Sequence, residues 1–236
     1  MATYKEIKGT TVKVRSSSMP TAYPQVAGEL YYNSSNGKYE FLGLAAGAWS
    51  SGGNLNTARQ SGGGLGIQTA SLMVAGETGS ILNIVENYDG TSWTEVADIN
   101  TARKANTALG TTSAGLTAGG TIGPPGRYQT LNEIWNGSGW TESGDLNTGR
   151  GGVGGTNTAY DDVLCFAGTG PSAKNENWNG ASWSEIGDLN TGRFTVGGTG
   201  SPTAGLCFGG RTPGTPHSAV TEEWSGSSIT TKVLTD

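Results

Sequence analysis

A repeated tryptophan-to-arginine segment constrains the fold of this chain more than any other feature. The motifs LNTAR, INTAR, LNTGR and LNTGR recur at steps of 44, 47 and 43 residues and end at Arg59, Arg103, Arg150 and Arg193. A tryptophan precedes each arginine by ten positions, at Trp49, Trp93, Trp140 and Trp183. Because this spacing is constant, we expect the segment to be one rigid structural element in every repeat.

A hairpin pattern lies upstream of the tryptophan in the repeats. The segments YDGTSW, WNGSGW and WNGASW flank an Asp-Gly or Asn-Gly pair with aromatic residues, and such pairs favour the positive backbone angles of tight turns. After each arginine we predict a strand rich in glycine and other small residues, followed by a more apolar strand such as DVLCFAG. A unit of about 45 residues with four short strands cannot bury both faces alone, so its neighbours must pack against it.

These patterns predict an all-β protein that forms a single β-propeller over residues 1–236, with five blades of four antiparallel strands each. Small residues on the first strand suit an inner position, where several sheets crowd around one axis. The carboxyl terminus does not visibly donate a strand to the first blade, so four blades with an amino-terminal appendage are the alternative. The predicted blades are a divergent one at 1–58 and regular ones at 59–100, 101–147, 148–190 and 191–236.

The repeat resembles that of the kelch family of propellers, in which a glycine doublet precedes an aromatic residue and then a tryptophan. Gly119-Gly120 with Trp135 and Trp140 is similar, and so is Gly209-Gly210 with Trp224. The resemblance covers residues 44 to 236 and implies the fold more firmly than any activity.

The amino-terminal sequence GELYYNSSNGKYEFLG resembles the opening segments of structural proteins of marine tailed phages. Together with the repeats, it makes the chain similar to cyanophage propeller proteins that are linked to virion structure or scaffolding. This resemblance implies a non-enzymatic structural or assembly component that contacts other viral structural proteins, in the virion or in the host cytoplasm during assembly. The alternative is a lectin-like, carbohydrate-binding propeller for host attachment, and a kelch-like enzyme ranks below both.

Patterns for catalysis, cofactors and metals are missing from the sequence. The single histidine, His217, stands in the proline-rich segment RTPGTPHSAV, and no GxSxG, CxxC or HExxH motif occurs. We therefore expect no enzyme activity, no cofactor and no metal site. Cys165 and Cys207 stand at equivalent repeat positions and are expected to be buried strand residues.

The charge and hydropathy of the chain disfavour two classes of partner. The formal net charge is −5, which repels nucleic acid phosphates. No apolar run approaches the ~20 residues that a membrane-spanning helix needs, so no membrane contact is expected.

The repeat varies in length between its second and third strands. In an antiparallel blade this loop lies on the same face as the arginine segment, so we predict that this face binds a partner. The arginines could form a ring for a carboxylate or phosphate ligand. The favoured interpretation is structural, with each later arginine contacting an aspartate five positions earlier (Asp98, Asp145 and Asp188) and locking blade to blade. The candidate residues of this face are Arg59, Arg103, Arg150, Arg193, Arg127, Tyr128 and His217.

Overall fold

The computed structural model describes residues 13–15, 30–41, 48–124, 127–157, 160–212, 214 and 217–226. The chain forms two compact units, Met1–Ser51 and Gly52–Asp236. Among the described residues, every regular element of secondary structure is a β-strand, as the sequence predicts. The same residues contain no helix with the length and apolar character needed to cross a membrane.

The amino-terminal unit contains a three-stranded sheet. Its strands are β1 (Lys13–Arg15), β2 (Leu30–Asn33) and β3 (Lys38–Phe41). Strand β1 runs parallel to β2, whereas β2 and β3 form an antiparallel hairpin. Gly37 adopts a φ of 67° at the Asn-Gly turn of this hairpin, and the rings of Tyr32 and Tyr39 lie 5.1 Å apart across it.

The second unit is a series of antiparallel sheets in a β-propeller arrangement, in which each sheet is a blade with its strands in chain order. Blade 1 consists of β4 (Gly63–Ile67), β5 (Ala70–Glu77), β6 (Ile81–Tyr88) and β7 (Trp93–Val96). Blade 2 consists of β8 (Thr107–Gly110), β9 (Gly115–Ala118), β10 (Asn132–Trp135) and β11 (Trp140–Ser143).

Blades 3 and 4 follow the same plan. Blade 3 consists of β12 (Gly154–Gly155), β13 (Val163–Phe166), β14 (Asn175–Trp178) and β15 (Trp183–Glu185). Blade 4 contains β16 (Gly197–Ser201), β17 (Ala204–Phe208) and β18 (Thr221–Trp224). Its fourth strand was predicted to open near Ile229, which lies outside the described residues.

Among the residues that the structure describes, four blades are formed, as in the alternative prediction, rather than five. The amino-terminal sheet differs from a blade because its first two described strands run parallel, whereas neighbouring strands of every blade are antiparallel. Four strand-like runs were expected to form the fifth blade. TVKVRS, ELYYNS and KYEFLG contain β1, β2 and β3, whereas AWSS, at 48–51, forms no strand.

The hairpins between the third and fourth strands confirm the predicted turns. The aromatic pairs Tyr88–Trp93, Trp135–Trp140 and Trp178–Trp183 face each other across the strands, with ring centroids 5.0, 5.2 and 5.4 Å apart. The turn glycines have positive φ angles, for example 93° at Gly137. The side chain of the preceding Asn136 accepts hydrogen bonds from the amides of Ser138 and Gly139 at 3.0 Å, which stabilises the turn.

The first strand of each blade is the inner one, and its small residues permit close contact between blades. The inner strands β4, β8, β12 and β16 contact one another in that order. A Cβ atom on Gly63 would lie 2.8 Å from the Cβ of Ala108, and one on Gly155 would lie 2.9 Å from Cδ1 of Leu109. Larger side chains at these glycines would force the blades apart, which confirms the predicted role of the glycine-rich strand.

The hydrophobic core lies between blades rather than within them. One cluster joins blades 1 and 2, a second joins blades 2 and 3, and a third joins blades 3 and 4. In the second cluster the fully buried Trp178 of blade 3 packs with Leu116 and Ala118 of blade 2. Each blade therefore obtains its core from its neighbour, as expected for a repeat that cannot fold alone.

Truncation of Trp178 should show that the cores between blades stabilise the fold. We expect Trp178→Ala to lower the free energy of unfolding by about 3–5 kcal/mol, because it empties a buried aromatic site. Trp49→Ala is the matched control, since Trp49 is fully exposed and its truncation should change stability by less than about 0.5 kcal/mol. Urea unfolding followed by circular dichroism measures both values, and equal effects would contradict this packing.

Candidate functional site

The side chain of each motif arginine is buried in an ion pair with a glutamate on the third strand of its own blade. In blade 3, Nη2 of Arg150 lies 2.6 Å from Oε1 of Glu176. Nη1 of Arg150 donates to the carbonyls of Ala167 and Lys174 on either side of the loop between the second and third strands. This contact, which we call the clamp, fastens the arginine to two strands of its blade.

All four blades contain the clamp. The pairs are Arg59–Glu86, Arg103–Glu133, Arg150–Glu176 and Arg193–Glu222. The arginine side chains are at most 1% exposed. A ligand at the surface therefore has no guanidinium to bind at these positions, and the geometry supports the structural interpretation over a ligand-binding ring.

The acidic partner differs from the one inferred from the sequence. Asp98, Asp145 and Asp188 are exposed, and the carboxylate paired with each later arginine belongs to a glutamate instead. Asp145 accepts hydrogen bonds from Oγ1 of Thr130 at 3.1 Å and from the amide of Asn132 at 3.4 Å. The predicted aspartate–arginine contact is thus wrong, because each buried arginine pairs with the glutamate on the third strand of its own blade.

The Asn-Thr pair of the motif completes the hydrogen bonding of the buried carboxylate. In blade 3, the amide of Asn147 donates to Oε2 of Glu176 at 2.7 Å, and Nδ2 of Asn147 donates to the same oxygen at 2.8 Å. The amides of Asn56, Asn100 and Asn190 make the equivalent bond to their own glutamates. A buried charge requires such partners, which explains why asparagine and arginine recur in one motif, whereas threonine takes part only through its backbone amide.

The main chain of the arginine joins consecutive blades. The amide of Gly120 in blade 2 donates to the carbonyl of Arg150 at 2.9 Å, and the amide of Arg150 donates to the carbonyl of Gln129 at 3.1 Å. Equivalent pairs of bonds link blade 1 to Arg103 and blade 3 to Arg193. Because the side chain of each of these arginines binds its own blade, the residue does lock blade to blade, although not through an aspartate.

These backbone bonds also show which loops share a face with the arginine segments. The loops between second and third strands hydrogen-bond directly to the arginine segment of the next blade, which confirms the predicted arrangement. We call the surface formed by these loops the loop face. Its described residues are 78–80, 121–124, 127–128, 169–172, 211–212, 214 and 217–218.

The remaining candidate residues lie on the loop face, while the arginines of the clamps do not reach its surface. Arg127 and His217 are exposed, and Tyr128 is half-buried. Exposed Ile122 stands beside Thr121, which pairs with Tyr128 in an antiparallel bridge. The structure therefore brings Ile122, Arg127 and Tyr128 together in the loop of blade 2.

The titratable groups with perturbed pKa values belong to the scaffold. Burial raises the pKa of Glu86, but hydrogen bonds from Arg59, Asn56 and Thr57 outweigh it and hold the pKa below the ordinary 4.5. Burial raises the pKa of Cys165 to about 11, so its thiol stays protonated and unreactive. Within the described ranges, no group of three or more His, Cys, Asp or Glu side chains is placed to hold a metal ion.

The four glutamates were missed in the sequence, although a signal for them exists. Each stands two positions before the aromatic residue that ends the third strand, in ENY, EIW, ENW and EEW. A glutamate fixed at one strand position in four repeats indicates a buried partner for the equally regular arginine.

No protein-family model matches the chain, and a search of curated proteins finds no significant match.

Removal of a clamp arginine should destabilise the protein strongly. We expect Arg150→Ala to lower the free energy of unfolding by about 3–5 kcal/mol, because Glu176 would remain buried without its counter-charge. Arg127→Ala is the control, since this exposed arginine should change stability by less than about 0.5 kcal/mol. Denaturant unfolding of the two variants checks the difference, and a small effect of Arg150→Ala would exclude a structural role for the clamp.

The clamp of blade 1 should make stability depend on pH. Because the folded protein lowers the pKa of Glu86, the ion pair stabilises the fold above pH 4.5 and this contribution is lost as the pH falls through the lowered pKa. Glu86→Gln removes the titration, so the difference in melting temperature between wild type and variant should shrink between about pH 6 and about pH 3. A difference that stays constant with pH would contradict this assignment.

Proposed function

We propose that this protein is a non-enzymatic structural or assembly component of a tailed phage that binds another viral structural protein through its loop face. Its place of action is the virion or the host cytoplasm during assembly. The phage assignment rests on the resemblance of the segment GELYYNSSNGKYEFLG. The proposed mode of action rests on the scaffold and its loops.

The observation that supports a binding platform is that one set of contacts holds loops of different sequence. The loops of blades 1, 2 and 3 are fixed at both ends by the backbone of the next motif arginine. Between these fixed ends, the loop of blade 1 is a short turn at 78–80, whereas that of blade 2 extends from 119 to 131. Such a scaffold permits loop sequences to change for a partner without a change in the core.

The composition of the loop face suits a protein partner. Ile122 is 38% exposed, and exposed Arg127 and His217 add hydrogen-bond donors. Protein interfaces combine an apolar centre with a polar rim and are enriched in arginine. A partner with an apolar patch flanked by acidic groups would match this surface.

The burial of the blade tryptophans weighs against the carbohydrate-binding alternative. Trp135, Trp140, Trp178 and Trp183 are between 0% and 8% exposed and pack between blades. Their rings are therefore inaccessible for stacking on a sugar. The glycan hypothesis would need other aromatic residues, such as Tyr128.

The loop face can be tested in the virus with two matched isoleucine substitutions. We expect Ile122→Asp to reduce the amount of this protein in particles or assembly intermediates several-fold, because a charge replaces an apolar contact residue. Ile67→Asp is the control, since Ile67 is also exposed but ends an inner strand at the opposite end of its blade. Quantitative mass spectrometry of purified particles and intermediates gives both values.

The outcomes of this experiment separate the hypotheses. Equal incorporation of both variants would exclude the loop face as the contact surface. Absence of the wild-type protein from particles and intermediates alike would contradict the phage assignment. Binding of the purified protein to a defined sugar on a glycan array, lost in Tyr128→Ala, would favour the carbohydrate-binding function instead.

A further inference from the structure

Every junction between consecutive blades contains the same backbone hydrogen bond just before the inner strand. It joins the residues two positions after the motif arginines, which are Ser61, Ala105, Gly152 and Thr195. The amide of Ala105 donates to the carbonyl of Ser61 at 2.6 Å. The amide of Gly152 donates to Ala105, and that of Thr195 donates to Gly152, both at 2.8 Å. All four residues have φ angles between 54° and 64°, so their peptide groups form one continuous column.

This column has two complementary open ends. Ala105 and Gly152 each use both the amide and the carbonyl within it. The amide of Ser61 and the carbonyl of Thr195 have no hydrogen-bond partner among the residues that the structure describes. The donor at blade 1 and the acceptor at blade 4 are the groups that pair at every internal junction.

The side chains at the end of blade 4 repeat the pattern of an internal junction. Phe166 and Phe208 end the second strands of blades 3 and 4 in the similar segments LCFAG and LCFGG. Phe166 is 3% exposed because its ring lies against Gly198 of the next blade, whereas Phe208 is 42% exposed. Blade 4 thus presents an exposed phenylalanine equivalent to the one that fills the junction between blades 3 and 4.

Blade 1 presents the matching empty site. Gly64, Gly155 and Gly198 are equivalent, because each pairs with the corresponding residue of its second strand. A Cβ on Gly198 would lie 2.8 Å from the ring of Phe166, and one on Gly155 would contact Leu109. A Cβ on Gly64 would meet no atom within 4 Å in the part of the chain that the structure describes. Within that part, the inner strand of blade 1 therefore has no neighbour at the position where its counterparts have one.

We propose that blade 4 of one copy of this protein docks against blade 1 of a second copy. Phe208 then covers Gly64, and the carbonyl of Thr195 accepts a hydrogen bond from the amide of Ser61, as at the internal junctions. The surfaces at the two ends differ, so the contact is heterologous, and such contacts close into a ring when the rotation permits. Two copies form both junctions and give eight blades, which is within the four to eight of known propellers.

The occupant is a second copy because the two ends carry the same pairing groups that already join blades within the chain. The inner strand of blade 1 has a glycine at the position that receives Phe166 in the junction between blades 3 and 4, and blade 4 has Phe208 in the same segment of sequence. A partner of another kind would need to reproduce both the phenylalanine and the hydrogen-bonded column. The proposal does not depend on the phage assignment or on the loop face.

Two substitutions at the open ends test the proposal without entering the core. Gly64→Arg places a long side chain in open space, at a residue without a positive φ, and should block the seat of Phe208. Phe208→Asp removes the exposed ring at the other end. We expect wild type to have the mass of two chains in light scattering after size-exclusion chromatography, and each variant to have the mass of one chain with an unchanged circular dichroism spectrum.

A matched glycine substitution provides the control. A Cβ on Gly139 also meets no atom within 4 Å and this residue has no positive φ, but it lies in a hairpin turn of blade 2, so Gly139→Arg should remain a dimer. A wild-type mass of one chain across a dilution series would overturn the proposal. In that case, a lower melting temperature in Gly64→Arg would show that the open ends are covered within one chain. Dimers that persist in both Gly64→Arg and Phe208→Asp would also overturn it.

Discussion

The fold depends on a buried arginine–glutamate pair that is repeated in four blades. Burial of two opposite charges is costly unless hydrogen bonds satisfy the remaining atoms. The carboxylate here receives the guanidinium and one or two backbone amides, and the guanidinium also binds backbone carbonyls of two strands. A single residue type at one position therefore organises the second and third strands of its blade. Through its backbone it also holds the loop of the preceding blade.

Much of this architecture could be predicted from the sequence, because the repeat makes the same local pattern visible several times. The structure confirms the hairpins whose first strands end at Tyr88, Trp135 and Trp178. It also confirms the glycine-rich inner strands and the shared face of the loops. It does not confirm the predicted partner of the arginine, since Asp145 is near Arg150 in sequence whereas Glu176 is brought close only by the fold. The described residues contain four blades rather than the predicted five, since β1 and β2 run parallel and strand-like runs alone do not determine strand direction.

The clamp also explains why the loops, and not the arginines, are the candidate site. Four guanidinium groups at regular spacing are a reasonable signal for an anion site, but their side chains are buried in ion pairs within the blades. What remains available to a partner is the set of loops that the clamps fix in place. The tryptophans of blades 2 and 3 show the same division, because they are regular in sequence and buried in structure. In this repeat protein, regular positions build the scaffold and irregular ones form the surface.

A double-mutant cycle tests most directly whether each motif arginine pairs with the glutamate of its own blade. The cycle combines Arg150→Met with Glu176→Gln and, separately, with Asp145→Asn, and it measures the free energy of unfolding of each single and double variant. We expect a coupling energy of about 1–3 kcal/mol between Arg150 and Glu176 and close to zero between Arg150 and Asp145. A coupling to Asp145 equal to or larger than that to Glu176 would contradict the account.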